Sequence, residues 1–176
     1  MSRLSCKPLV ASVLALALFA TLTPAVERGP ATPEECQQAL ALARFLERDP
    51  LSKKAREARA WLTTWWATVP NFVATVCDAL LGPFYDSDNP YVAELLSQMM
   101  YSDGAYIIEH PGTAASSVEA LTAGLEGVLR AYQAIVKAKP KLRDPFLDGL
   151  CAKKDAGVLS AYVRETLPKC QVGGAI

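Results

Sequence analysis

"WLTTWWATVPNFVATVC", from Trp61 to Cys77, runs for seventeen residues without a charged side chain. Such a stretch could cross a membrane, line a ligand site or pack in a core. It is shorter than the roughly 20 apolar residues that span a bilayer, and Pro70 interrupts it. Threonine and asparagine side chains also break its apolarity. The stretch therefore predicts two helices that bury their apolar faces in a shared core.

Apolar residues on both sides of Pro70 recur at the three- and four-residue intervals of one helical face. The spacing predicts a helix from Pro50 to about Thr68, and a further helix that begins at Pro70 and ends at Gly82–Pro83. The apolar positions are Ala58, Trp61, Leu62, Trp65 and Trp66 before the proline, and Phe72, Val73, Val76, Cys77, Leu80 and Leu81 after it.

Helix start signals recur along the rest of the chain. Thr32 with Glu35 forms a capping box ahead of a first helix, and Ser116 with Glu119 forms a second one ahead of the longest helix. Asp144, followed by proline, caps a short helix near the end of the chain. No segment shows the alternation of a strand. The sequence therefore predicts an all-α fold, a single-domain bundle of about six to seven helices with antiparallel hairpins and stabilising disulfides.

A short tetratricopeptide-like helical array is the alternative fold. Ala41–Pro50 and Ala131–Pro140 both resemble the closing half of a tetratricopeptide helix pair. They lack the Trp-Leu-Gly half of that motif, and they lie 90 residues apart, which is not a multiple of about 34. Shared helix-end chemistry is the simpler explanation of the likeness.

The N-terminus has the pattern of an export signal. Arg3 and Lys7 precede an apolar run from Leu9 to Leu22, and small residues favour cleavage after Ala25. We therefore expect a secretory signal peptide over residues 1–25, a flexible lead over 26–31, a helical domain over 32–170 and a flexible tail over 171–176. An uncleaved anchor is the alternative, although this run is also short for a span. The mature chain is expected to be periplasmic or extracellular, with no transmembrane span.

Charge excludes two classes of partner. The chain has 18 basic and 18 acidic residues, and removal of Arg3 and Lys7 with the signal leaves 16 basic residues and a net charge of −2. A nucleic-acid-binding domain is usually basic. Anionic lipid surfaces likewise attract clusters of basic residues. We therefore expect neither nucleic acid nor an anionic membrane surface as a partner.

Four cysteines remain after cleavage of the signal, namely Cys36, Cys77, Cys151 and Cys170. An even number in an exported chain predicts disulfides, and four cysteines allow three pairings. The preferred pairing is Cys151–Cys170 with Cys36–Cys77. No CxxC motif indicates a redox or zinc site.

The sequence predicts no catalytic residue, metal site or cofactor. His110 is the only histidine, and its position before Pro111 is typical of a helix end. Glu126 and Arg130 are four residues apart, which predicts an exposed ion pair rather than acid–base chemistry. An enzyme stays a remote alternative because the usual nucleophile, base and orienting group are not apparent.

Two functions remain. The first is a non-catalytic module that binds a protein or acts as a scaffold, since helical grooves commonly receive a partner helix or peptide. The second is a carrier of a small apolar ligand in a cavity between helices. The residues that would line this cavity are Trp61, Trp65, Trp66, Phe72 and Tyr132.

Overall fold

The computed structural model describes residues 28–170. Within that range the chain forms six α-helices and three 3-10 helices, and no strand, so the all-α prediction is confirmed. The predicted signal peptide, residues 26–27 of the predicted lead and the predicted tail lie outside the described residues. The α-helices are α1 (Pro33–Arg48), α2 (Ala55–Thr68), α3 (Val92–Glu109), α4 (Val118–Ala138), α5 (Pro145–Asp155) and α6 (Leu159–Thr166), and the 3-10 helices are Asp78–Phe84, Pro140–Leu142 and Leu167–Lys169.

Capping side chains fix where several helices begin. The Glu35 N–H donates to Thr32 Oγ1 at 3.2 Å, and the Thr32 N–H donates to Glu35 Oε2 at 2.9 Å, so the predicted capping box of α1 is present. Asp144 caps α5 in the predicted way. The cap of α4 is Ser117, which accepts from the Ala120 N–H at 3.1 Å, rather than the predicted Ser116.

The start of α2 also differs from the prediction. Successive turns occupy residues 50–54, because the Asp49 carbonyl accepts from the Ser52 N–H and the Ser52 carbonyl accepts from the Ala55 N–H. These bonds close tight turns instead of continuing a helix from Pro50. Helix α2 therefore begins five residues later than predicted, at Ala55, and ends at Thr68 as predicted.

The helix predicted to begin at Pro70 is wrong over its first half. Residues 69–77, which we call the strap, form neither helix nor strand, and a 3-10 helix begins only at Asp78. One side chain takes the place of a helical partner, since Asp103 Oδ2 accepts the Thr75 N–H at 2.8 Å. The side chain of Asn71 binds outside the strap, where its Oδ1 accepts the Ala31 N–H at 2.8 Å. β-Branched residues, which are frequent in the strap, also have a low helix propensity.

Two apolar clusters pack on either side of α3. One joins α3 and α4 to α5, α6 and the 3-10 helix 78–84. The other joins α1 and α2 to residues of α3, with Phe72 and Ala74 of the strap against it. The arrangement fits a helical bundle. None of the helices between residues 28 and 170 combines the length and hydropathy that a membrane span needs.

The disulfide joins Cys77 to Cys170, with a Cα–Cα distance of 5.1 Å, and Cys36 and Cys151 are free. Both predicted pairings are therefore wrong. The 3-10 helix that follows Cys77 packs against α5 and α6, and this brings the end of the chain to Cys77. Cys151 is buried on α5, and Cys36 packs against the cluster of α1 and α2.

Glycines let α3 and α4 approach each other closely. A Cβ on Gly124 would lie 3.0 Å from the Met99 carbonyl oxygen, and one on Gly127 would overlap the buried Ser102 side chain. Glycine in a helix costs about 1 kcal/mol relative to alanine, so close packing must offset that cost at both positions.

Gly127→Ala is expected to lower the free energy of unfolding by about 1–3 kcal/mol, because overlap in a packed interior outweighs the gain in helix propensity. Gly149→Ala on α5 is the matched control. A Cβ there meets nothing within 4 Å, so this variant should gain about 0.5–1 kcal/mol. Chemical denaturation of both variants measures the difference, and equal gains would contradict the close approach of α3 and α4.

Candidate functional site

A groove of about 770 Å³ lies between α1, α4 and α6, and we call it the charged groove. Arginine and glutamate side chains from all three helices reach it, and Tyr106 from α3 contributes a ring. Its charged residues are Arg44, Glu47, Glu119, Glu126, Arg130 and Arg164.

Glu47 lines this groove and is only 4% exposed. Arg130 binds it with two nitrogens, Nε to Oε2 at 2.9 Å and Nη2 to Oε1 at 3.0 Å. Arg44 Nη1 at 2.9 Å and Ser102 Oγ at 2.8 Å also donate to Oε1. Burial opposes ionisation of Glu47, but these donors outweigh it and hold the pKa of the carboxyl below its usual value. Glu47 is therefore a charged, fully bonded anchor.

The two arginines also reach outer carboxylates. Arg44 Nη2 lies 3.0 Å from Glu109 Oε2, and Arg130 Nη1 lies 3.3 Å from Glu126 Oε2. The predicted ion pair of Glu126 with Arg130 is confirmed, although the buried Glu47 makes more bonds to the same arginine. Both arginine side chains stay about one-third exposed, at 31% and 33%. Carboxylates thus hold each guanidinium in place while each side chain stays partly accessible to solvent.

Arg164 and Glu119 are the two remaining charged residues of the groove. Arg164 projects from α6 and Glu119 from α4, and both residues are exposed. Neither makes an ion pair with any residue between 28 and 170. A partner could therefore bind these two charged side chains without first breaking any ion pair found within residues 28–170.

Tyr132, predicted to line a ligand cavity, lies in a second groove of about 570 Å³ between α4 and α5. Its hydroxyl oxygen accepts the Asp144 N–H at 2.7 Å, and its proton faces Asp148 Oδ1 at 2.9 Å. Burial is the main reason that the pKa of Tyr132 rises to about 12. Tyr132 thus fastens the start of α5 to α4, away from the tryptophans.

The other four predicted ligand-binding residues do come together. Trp61 stacks on Trp65 with ring centroids 5.7 Å apart, and Phe72 lies 6.2 Å from the rings of both Trp65 and Trp66. Trp65 and Trp66 are 4% and 7% exposed, and Gly104 of α3 lies directly against the Trp66 ring. No tryptophan lines either groove. The aromatic cluster is packed as core at Trp65 and Trp66, with Trp61 half-buried at its edge.

His110 ends α3, as its position before Pro111 indicates. Its Nδ1 lies 2.9 Å from the Tyr106 carbonyl oxygen, and its ring stacks on that of Tyr106 at 4.0 Å. Among the described residues no group of three histidine, cysteine or acidic side chains is arranged to hold a metal ion. The two free thiols are poorly suited to nucleophilic chemistry, because burial raises the pKa of both Cys36 and Cys151.

Comparison with known proteins adds nothing to this geometry. No family model, curated protein or solved structure matches the chain. Function is therefore inferred from the residues alone. No sequence pattern singles out Glu47, and the sequence does not predict that Asp103 is buried.

Asp103 is a carboxyl on α3 with no exposed surface. Its Oδ2 accepts the Thr75 N–H of the strap, and its Oδ1 has no hydrogen-bond partner among the described residues. Burial raises the pKa of Asp103 to about 7. The hydrogen bond from Thr75 lowers this pKa but offsets only part of the effect of burial. Because the folded chain holds this proton more tightly than the unfolded chain, the stability that Asp103 contributes is fully present below about pH 4 and is lost as the pH rises from about 4 to about 7.

Asp103→Asn is expected to remove this pH dependence, because asparagine keeps an acceptor for Thr75 and carries no charge. The wild type should lose about 4 kcal/mol of unfolding free energy across the interval. The variant should be more stable than the wild type by about 2 kcal/mol at pH 8, since its unpaired amide offsets part of the gain. Urea denaturation across this pH range measures both curves. Parallel curves would contradict a buried titrating Asp103.

Proposed function

We propose that the chain is an exported, non-catalytic module that binds another protein through the charged groove. The observation that carries the proposal is the anchoring of Arg130 and Arg44 by the buried Glu47. Three N–H groups of the two arginines donate to the Glu47 carboxylate and fix where both guanidinium groups lie, and the Ser102 hydroxyl donates to the same carboxylate.

Fixed side chains favour association because a partner need not first order them. Each immobilised long side chain costs about 0.5–1.5 kcal/mol on binding, and a preorganised pair avoids that cost. The groove also offers Arg164 and Glu119 with no ion pair among the described residues. A partner surface with a carboxylate opposite Arg164 and a cation opposite Glu119 would complement both.

The disulfide supports the exported part of the proposal. Disulfides persist in oxidising compartments and are rare in the cytosol. The Cys77–Cys170 bond would therefore be stable in the periplasm or outside the cell, where the signal pattern of residues 1–25 would deliver the chain.

A carrier of a small apolar ligand stays the alternative. A ligand that bound between Trp65, Trp66 and Phe72 would have to separate rings that now touch, and the packed cluster favours the binding module instead. Tryptophan fluorescence that shifts on addition of hydrophobic ligands would favour the carrier.

Charge reversal at the groove tests the binding proposal. The mature chain, immobilised, is used to capture proteins from an extract of the exported compartment, and the capture is repeated with Arg164→Glu. We expect the wild type to retain a specific protein and the variant to lose most of it, because reversal places like charges together and this costs several kcal/mol.

Lys153→Glu is the matched control, since Lys153 is exposed on α5, lines neither groove and gives the same change in net charge. It should capture as the wild type does. Equal loss in both variants would indicate a general charge effect, and retention by all three chains would contradict the groove as the binding surface.

A further inference from the structure

The strap is attached to α3 at very few points. Between Pro70 and Val76 the Thr75 N–H, bonded to Asp103, is the only backbone group in a hydrogen bond among the described residues. Asn71 adds a side-chain bond to Ala31 at one end, and the disulfide holds Cys77 at the other. A segment with so few bonds opens at a lower free energy than the helices around it.

We propose that the strap is a pH-sensitive switch, which lies closed on α3 while Asp103 is protonated and opens when Asp103 becomes charged. The geometry carries this proposal. Asp103 has no exposed surface, one of its oxygens has no hydrogen-bond partner among the described residues, and the strap covers the carboxyl at Thr75, whose N–H binds the other oxygen. Thr75 and Val76 in this cover are only half-buried.

The other neighbours of Asp103 cannot move aside so easily. A Cβ placed on Gly124 would lie only 3.2 Å from the Cβ of Asp103. Gly124 belongs to the close contact between α3 and α4. The residue after Asp103, Gly104, lies against the Trp66 ring of α2. Hydration of a charged Asp103 therefore requires the strap to lift rather than the helices to separate.

No charged side chain within residues 28–170 shifts the pKa of Asp103. The strap contacts Asp103 through Thr75, and α4 does so through Gly124. Helix α2 packs against the next residue, Gly104, with the Trp66 ring. None of these side chains titrates. Met99 lies nearby on α3 itself and is also neutral. Burial and the bond from Thr75 account for the pKa of Asp103, which lies at about 7, without a contribution from any charged side chain.

Opening would also uncover the aromatic cluster. Phe72 and Ala74 of the strap pack against the cluster that contains Trp65 and Trp66. When the strap lifts, these residues leave, and the two tryptophan rings become accessible to solvent. Tryptophan exposure is therefore a second, independent readout of the switch.

Hydrogen exchange tests the proposal on the full mature chain. The protection factor of the Thr75 amide, corrected for the intrinsic rate at each pH, is measured from pH 4 to 9 in the wild type and in Asp103→Asn. We expect protection in the wild type to fall by up to roughly tenfold per pH unit between about pH 4 and 7, to level off above about pH 7, and to stay constant in the variant. Amides of Val128 and Leu129 in α4 serve as internal controls and should stay more strongly protected than Thr75 at every pH.

Acrylamide quenching of tryptophan fluorescence gives the second readout, and it does not require the variant to fold. Quenching in the wild type should increase over the same pH range while Thr75 protection falls. Constant Thr75 protection in the wild type would overturn the proposal. Equal protection at Thr75 and in α4 at every pH would also overturn it, because Thr75 would then exchange only when the chain unfolds as a whole.

Discussion

Replacing both Cys77 and Cys170 with alanine is expected to lower the free energy of unfolding by about 4–5 kcal/mol. The bond closes a loop of 93 residues, and the chain-entropy model assigns this amount to a loop of that length. Domains of ordinary size have only about 5–15 kcal/mol of stability in total. The melting temperature should therefore fall by roughly 10–20 °C.

Cys36→Ser is the control for this variant, because Cys36 is a free, half-buried thiol and should change stability by less than about 1 kcal/mol. Calorimetry of the two variants measures the difference. Peptide mapping without reductant should also recover a linked pair of peptides that contain Cys77 and Cys170. A linked Cys151–Cys170 pair, or equal melting temperatures, would contradict the bond described here.

Glu47→Ala is expected to lower the free energy of unfolding by about 3 kcal/mol. Its loss leaves Arg130 and Arg44 without their shared carboxylate and Ser102 without an acceptor in a buried position. Removal of one partner from a buried ion pair typically costs about 3–5 kcal/mol. The lower figure applies because both arginines are one-third exposed and can turn toward water.

Glu109→Ala is the matched control for Glu47→Ala. Glu109 binds the same Arg44 at 3.0 Å but is 40% exposed, so its removal should cost less than about 1 kcal/mol. Urea denaturation of the two variants at neutral pH compares them. A similar small loss in both would mean that Glu47 contributes no more than a surface ion pair.

Local chemistry explains which parts of the fold the sequence could predict. Thr32 and Asp144 cap helices through atoms within three residues of themselves, so their sequence neighbours were enough to identify α1 and α5. Pro70 likewise separates two elements, as expected. The four-residue spacing of Trp61 and Trp65 placed both on one helical face, where the structure stacks them on each other.

The strap could not be predicted in the same way, because distant residues decide its conformation. Phe72 and the apolar residues after it have helical spacing, yet Asp103 binds the Thr75 N–H from 28 positions away. The same limit applies to the disulfide. Cys170 is near Cys151 in sequence, but the packing of α5 and α6 on the 3-10 helix 78–84 brings it to Cys77 instead.

Glu47 shows the same limit at the candidate site. The main partner of Glu47 is Arg130, which lies 83 positions away in the sequence. Next to Arg48, Glu47 has the sequence context of a charged residue at an exposed helix end. The glycines offered a usable signal. Gly124 and Gly127 stand three residues apart inside the longest helix, where their cost in helix propensity indicates a close contact on that face.

The most direct test of the proposed binding surface is the association rate constant between the mature chain and the protein it captures. Stopped-flow measurements at low and high salt would compare the wild type with Arg164→Glu and Lys153→Glu. We predict that Arg164→Glu slows association at low salt by about tenfold or more, that high salt reduces this difference, and that Lys153→Glu stays within about twofold of the wild type. Equal rates for all three chains, or the capture of no protein at all, would contradict a binding function of the charged groove.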